Sequence, residues 1–368
     1  MYFDVNPKER REDLYDREEE LKSISEALNL GERLIVVYGI RRIGKTSVIR
    51  VSLRDLPHVL LDVRQLYFSE NNVTMLLLVK YILEGFRERM KASEKLYLGL
   101  RDAMSRIKGL RIGEIGIEIE PSAKISLTDV LSRVNDWCEE RGERFIFAFD
   151  EAQYLRFSNV RYDGIIAWAI DNLENLTFLL SGSEVGVLRD FLRLDEPEAP
   201  LFGRYRREVH VDRFTEEESI NFLHKGFREF GIEPKADEIE DTLKALDGIV
   251  GWLTLYGYMR AVRKFPHGDA LTEVLEEGSK LVMEELGKLI SPSRKRYLAI
   301  MKAVAHGSNS WSDIKAYVTV RAGPIPDSRL NELLKNLVKY GYLEREDDEY
   351  KIPDPIVKRA VINMKPHA

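Results

Sequence analysis

Short apolar runs recur along the first 210 residues, separated by stretches whose apolar positions return every three to four residues. The runs Arg33–Tyr38, His58–Val63, Arg144–Phe149, Leu176–Leu180 and Arg207–Val211 predict five strands. Helical spacing predicts helices near 126–140, 161–173 and 184–193. An earlier helix opens at Asp16, read as its N-cap, with Leu21, Ile24 and Leu28 on one face. Thr74 to Ile107 reads as a long helix, and Leu110 to Ile119 alternates like a small strand or hairpin. Residues 64–126 read as an insertion with no chemical signal. Ser126-Leu-Thr-Asp129 has the form of a capping box. Strands alternating with helices predict a parallel sheet covered on both faces, in a three-layer α/β domain over residues 1–212.

Beyond it the strand pattern stops. Thr215-Glu-Glu-Glu218 opens a helix by another capping box, and residues 213–290 read as a helical lid punctuated by Gly231, Gly248, Pro266 and Gly268. Residues 291–368 read as three helices and two short strands around an acidic turn, the pattern of a winged helix.

Composition narrows the class. At 368 residues the chain exceeds one ordinary core. No stretch approaches the ~20 apolar residues of a membrane span, and the first ten residues hold no apolar signal core. The single cysteine, Cys138, excludes an internal disulfide and a cysteine-rich zinc site. A cytoplasmic location is the default expectation. The net charge of −6 argues against a protein built wholly around nucleic acid. From Ser291 onward, however, 14 Lys and Arg face 9 Asp and Glu, so the last module is basic on an acidic chain.

The chemistry begins where the first strand ends. Gly39-Ile40-Arg41-Arg42-Ile43-Gly44-Lys45-Thr46-Ser47 fits G-x-x-x-x-G-K-[ST] and stands between a predicted strand and a predicted helix. Backbone N–H groups of such a loop, with the helix N-terminus, face phosphates. Lys45 would reach the β- and γ-phosphates, and Thr46 would place its hydroxyl on Mg²⁺. Phe145-Ile-Phe-Ala-Phe-Asp150-Glu151 drives two carboxylates to the ligand edge of the sheet. There Asp150 would hold Mg²⁺ through water, and Glu151 would polarise an attacking water. Phe178-Leu-Leu-Ser181-Gly-Ser183 ends a strand expected between the other two. Ser183 is read as the cap of the next helix, leaving Ser181 as the γ-phosphate sensor. In Pro200-Leu-Phe-Gly203-Arg204, the arginine after the glycine turn is the candidate for stabilising transition-state charge.

Together these segments resemble the archaeal ATPase family, a group of P-loop ATPases near the AAA+ and STAND groups. The likeness rests on Tyr15-Asp-Arg17-Glu-x-Glu20-Leu21 and on the loop with its double arginine Arg41-Arg42. It rests also on Asp150-Glu151-Ala-Gln153, Leu180-Ser-Gly-Ser183, Leu201-Phe-Gly203-Arg204 and Tyr350-Lys-Ile-Pro-Asp354-Pro355. One departure is Val250, in Gly248-Ile-Val250-Gly251, where the family usually has proline. The resemblance implies an additional-strand, AAA+-like nucleotide domain with Tyr15 and Arg17 near the adenine. It further implies ATP/ADP and Mg²⁺ as ligands, and hydrolysis coupled to movement of the lid and winged helix. The alternative is a slow STAND-like switch, or a DNA-binding regulator with little turnover. In the recognition helix Asp327–Lys339, the buried stripe is Leu330, Leu333, Leu334 and Leu337. Arg329, Asn336 and Lys339 are left to read bases or phosphates, while the acidic wing turn would repel DNA. A DNA partner and a protein partner thus both stay open for this module, as does oligomerisation.

Overall fold

The computed structural model describes residues 1–70, 72–90, 104–105, 107, 109–112, 117–120 and 125–365. Nine strands follow in chain order: β1 (Leu34–Tyr38), β2 (His58–Asp62), β3 (Leu110–Ile112), β4 (Ile117–Ile119), β5 (Phe145–Asp150), β6 (Leu176–Gly182), β7 (Arg207–His210), β8 (Glu344–Glu346) and β9 (Glu349–Lys351). Five of them form one parallel sheet in the order β2-β5-β6-β1-β7. Every residue of β1, β5 and β6 is buried, as strands covered on both faces require. One apolar layer joins Phe147, Phe178 and Leu180 to the helices Met75–Met90 and Leu127–Arg141. The other joins Val37, Ala148 and Leu179 to Ile24, Val48 and Ile49 on the helices Glu18–Asn29 and Lys45–Leu53. The three-layer arrangement expected from the patterning and the additional strand implied by the resemblance are therefore both present. β6 separates β1 from β5, so the phosphate loop and the Asp150 strand end close together without pairing.

Local expectations meet the structure unevenly. The capping boxes at Ser126/Asp129 and Thr215/Glu218 both form. β3 and β4 pair antiparallel as a hairpin. Of the predicted helix from Thr74 to Ile107, Met75–Met90 is seen, and most of the remainder lies outside the described residues. Asp16 is not an N-cap. The helix starts at Glu18, and Asp16 and Arg17 both have positive φ (57° and 77°), a turn that aims Arg17 inward. A helix over Val63–Glu70 directly follows β2, at the start of the segment expected to be an insertion without chemical signal, and it takes Val63 from the expected strand.

Behind the sheet, the lid and the winged helix share one continuous core. Phe222, Leu253 and Tyr256 of the lid lie in the same apolar cluster as Leu298, Leu333 and Ile356 of the last module. The helix His267–Ile290 runs between them and packs on the C-terminal helix Pro355–Asn363. The N-terminal arm is tied into this core through Phe3, whose ring packs against Phe222 and Phe227. Among the described residues, no helix is long and apolar enough to cross a membrane.

Candidate functional site

Parallel strands deliver their C-terminal ends to one edge, and the sequence loads that edge with polar groups. β1 runs into the loop Gly39–Gly44, and the helix Lys45–Leu53 follows. Lys45 is buried, and its ammonium donates to the carbonyls of Gly39 and Ile40, both at 2.8 Å. Burial lowers the Lys45 pKa, while the nearby Glu151 and Asp150 carboxylates oppose that shift. Ile43 anchors the loop in the core, and the Ser47 hydroxyl accepts from the Lys8 N–H of the N-terminal arm at 3.0 Å.

The Thr46 hydroxyl donates to Asp150 Oδ2 at 2.5 Å. The other Asp150 oxygen accepts from the Ser181 hydroxyl and from the Glu151 N–H. Thus three strand ends converge on one carboxylate: β1 through Thr46, β5 through Asp150 and β6 through Ser181. Glu151 turns off β5 with a φ of 53°, which is uncommon for a residue with a side chain. Its Oε2 accepts from the Gln153 amide (2.7 Å), the Ser183 hydroxyl (2.7 Å) and the Ser183 N–H (3.2 Å). Burial alone would push the Glu151 carboxyl up. Lys45, the Ser183 hydroxyl, Arg64 and the Gln153 amide outweigh it and hold the group below its ordinary value.

Two expectations need correcting here. Ser183 does not cap the next helix, whose N-cap is Glu184 with no side-chain capping bond; the Ser183 hydroxyl is committed to the more strongly accepting Glu151 carboxylate. Arg204 is not at the site. It forms a two-pronged pair with Asp171 at 2.6 and 3.0 Å, largely exposed and outside the cavity lining. Strand direction explains this: β7 runs parallel to β1 with Arg207 level with Ile35, so the turn before it lies at the N-terminal edge of the sheet, opposite the strand ends that carry the site.

A cavity of about 570 Å³ opens over the loop, lined by Tyr15, Arg17, Arg41 to Ser47, Arg64, Glu151, Phe214, Val250, Gly251 and Trp252 among others. That size suits a small-molecule ligand. Its far end is aromatic: Tyr15 packs edge-on against Phe214 at 5.5 Å and near Phe222 at the same distance. Arg17 lies under the Phe214 ring and donates to the Ile43 and Asp212 carbonyls, fastening the arm to the loop. Val250, despite replacing a proline, still brings the lid onto the loop. The Gly251 N–H donates to the Arg42 carbonyl at 2.8 Å, and a Cβ at Gly251 would sit 2.8 Å from that oxygen.

The double arginine reaches out of the loop. Arg41 pairs with Glu184 at 2.6 Å and donates to the Tyr340 carbonyl at 3.2 Å, at the end of the recognition helix. Arg42 pairs with Glu285 of the lid at 2.9 Å and stacks over Trp252. Nearby, Gly186 meets Lys339 so closely that a Cβ would sit 2.8 Å from the Lys339 Cα, and Lys339 pairs with Asp190. Sequence reasoning missed Gln153's contact to Glu151, Glu184, Glu285 and Arg64. Of these, Gln153 stood in the motif Asp150-Glu151-Ala-Gln153 without an assigned role, and Arg64 carried a usable signal as a charged residue just past a parallel strand's ligand end.

A family model described as an ATPase domain predominantly from Archaea matches residues 14–255. A second, described as the MCM protein C-terminal winged helix-turn-helix domain, matches residues 292–353. The solved Walker-type ATPase PABY2304 of Pyrococcus abyssi is 39% identical, covering 98% of this chain and 100% of that one, with a TM-score of 0.84. The ORC2 protein of Aeropyrum pernix, solved with ADPNP and ADP, is 14% identical with a TM-score of 0.55, covering 98% and 96% of the two chains. At that identity the likeness is one of fold. An uncharacterized protein of Methanocaldococcus jannaschii is 22% identical over 338 residues, 90% of this chain. The chain spans about 62% of that relative's length.

Proposed function

The chain belongs to the family of ATPase domains found predominantly in Archaea, and from that premise we propose that it binds Mg·ATP, hydrolyses it, and passes the nucleotide state to its lid and winged helix. The observation that carries this reading is the convergence of Lys45, Thr46 and Glu151 on a single cavity, with Asp150 bonded to Thr46 just behind its wall. Thr46 Oγ1 and Asp150 Oδ2, 2.5 Å apart, are hard oxygen donors of the kind Mg²⁺ takes while keeping several waters. When bound, the ion neutralises charge on the phosphate oxygens. The chain's own groups do the rest. Lys45 leaves the Gly39 and Ile40 carbonyls for the β- and γ-phosphates. Glu151 accepts a proton from water as the water oxygen bonds to the γ-phosphorus and the bond to the leaving ADP oxygen breaks. Ser181 holds Asp150 in place. The adenine rests toward Tyr15 and Phe214, where the cavity is aromatic.

Phosphate release from ATP should require Mg²⁺, stop on chelation, and fall at least ~100-fold in Asp150→Asn. Turnover indifferent to both changes would sink the reading.

Arg41 and Arg42 support the coupling, because one loop grips the lid at Glu285 and the recognition helix at Tyr340. Any rearrangement of the loop around phosphates is then felt by both. Glu285→Gln should weaken this docking by about 1.5–3 kcal/mol. Amide exchange over residues 327–343 would accordingly quicken by roughly tenfold or more; unchanged exchange would exclude Glu285 from the coupling.

A second reading, the slow nucleotide switch, is favoured by the resting hydrogen bonds of Lys45 and Glu151, which must be given up before turnover. For the winged helix, Lys339 is engaged by Asp190, Asn336 by Tyr297 and Arg329 by Glu332. Contact with DNA or a protein partner through this helix therefore follows release of these intramolecular pairs.

A further inference from the structure

With Arg204 held on Asp171, the cavity needs another source of positive charge for the γ-phosphate, and six cations line it: Lys8, Arg17, Arg41, Arg42, Lys45 and Arg64. Five are spoken for. Lys8 donates to the Met1 and Asp4 carbonyls, and Arg17 to the Ile43 and Asp212 carbonyls. Arg41 is bound to Glu184 and Arg42 to Glu285, and Lys45 is the loop's own phosphate lysine. Arg64 differs. Among the described residues its one ion pair is a slack 3.5 Å contact to Asp62, and its side chain is 45% exposed, so it can swing at little cost.

Its place in the fold is equally pointed. Asp62, the last residue of β2, is the register partner of Asp150 on β5. Arg64 stands two residues further on, at the ligand edge and on the β2 side of Glu151. Lys45 reaches Glu151 from the other side, across β6, from the β1 loop. A phosphoryl group between Lys45 and a water on Glu151 would thus have Arg64 on its remaining flank.

We propose that Arg64 is the arginine that meets the γ-phosphate in cis and stabilises its charge as the bond to ADP breaks. This rests on the hydrolytic reading above. Asp62 is the parking place of the side chain when no triphosphate is bound. The charges of Glu151 and Asp150, which lie close enough to favour the ionised guanidinium, draw it toward the site. An arginine in this role contributes of the order of 10³–10⁵ to turnover and little to ground-state binding.

The test compares wild type, Arg64→Ala and Arg64→Lys by steady-state phosphate release, ADP affinity, and affinity for ADP with aluminium fluoride, a mimic of the phosphoryl group in transfer. Arg64→Ala should keep ADP affinity within about threefold, lose at least ~10³ in kcat, and lose the extra affinity for the fluoride complex. Arg64→Lys should recover part of kcat, since it restores the charge without the planar fork. Retained ADP affinity shows that the variant is folded. If Arg64→Ala keeps kcat within threefold, or loses ADP and fluoride-complex affinity equally, the proposal is overturned. The same holds if Arg204→Ala abolishes turnover while Arg64→Ala does not. Failure of the hydrolytic reading itself looks different: wild type would then release phosphate no faster than Glu151→Gln.

Discussion

Replacing Glu151 by glutamine is expected to lower ATP turnover by about 10²–10⁴-fold while leaving ATP binding intact or tighter. The amide is nearly isosteric, and its oxygen can still accept from the Ser183 hydroxyl, the Ser183 N–H and the Gln153 amide. The local structure is therefore retained, and what disappears is the ability to take a proton from water. Removing a negative charge next to the γ-phosphate also relieves a repulsion, which is why affinity does not fall. Steady-state phosphate release and equilibrium nucleotide binding on the same preparation check both halves. A wild-type rate no higher than the variant's would leave a binding protein rather than an enzyme. The pH profile adds a second check. Glu151 is held below its ordinary value of 4.5, so it stays ionised from neutrality down to about pH 5, and no acid limb from this group should appear above that. A carboxylate with a depressed folded pKa contributes stability that is present above 4.5 and lost as pH falls through the lower folded value. Glu151→Gln should flatten that part of the acid-stability curve. A half-loss of wild-type kcat near pH 6.5 that vanished in no other variant would point to a different base.

Lys45→Ala carries the second large expectation. The ammonium is 5% exposed and sits among loop carbonyls opposite two carboxylates. Under the proposed function its removal takes away the principal cation facing the phosphates. Truncating one partner of such a buried charge pair costs about 2–5 kcal/mol, or roughly 30- to 5,000-fold in ATP affinity. Titration calorimetry or displacement of a fluorescent nucleotide measures it. Lys45→Arg should recover little, because a planar guanidinium does not fit a pocket built around a point charge. Unchanged affinity in Lys45→Ala would favour a regulator whose nucleotide site has decayed.

How far the site could be read without coordinates depended on the distance over which its parts act. The positions of the loop Gly39–Thr46, the pair Asp150-Glu151 and Ser181 at the sheet's ligand edge were legible, because each is a local pattern at the end of an apolar strand; that Ser181 bonds Asp150 was not. The roles of Ser183 and Gln153 were not. Both are polar residues with ordinary local explanations, and only the turn at Glu151 brings them onto its carboxylate. Arg204 was misplaced for the opposite reason. A glycine-arginine turn is conspicuous in sequence, but it precedes β7, a parallel strand, and so lies at the N-terminal edge of the sheet, where the arginine meets Asp171. Arg64 went unread because the helix Val63–Glu70 was taken as part of an insertion.

The sequence by itself determined the three-layer α/β fold, the helices that follow it, the winged helix and the glycine loop at the end of β1. Strand and helix periodicity and a contiguous glycine loop need only neighbouring residues to express themselves. The tertiary structure alone decided which arginines line the cavity, which side chains hold Glu151, and that Arg41 and Arg42 bind the loop to Tyr340 and Glu285. Those are contacts between residues up to 299 positions apart. They are set by sheet order and by close approaches such as Gly251 on Arg42 and Gly186 on Lys339, which no local pattern encodes.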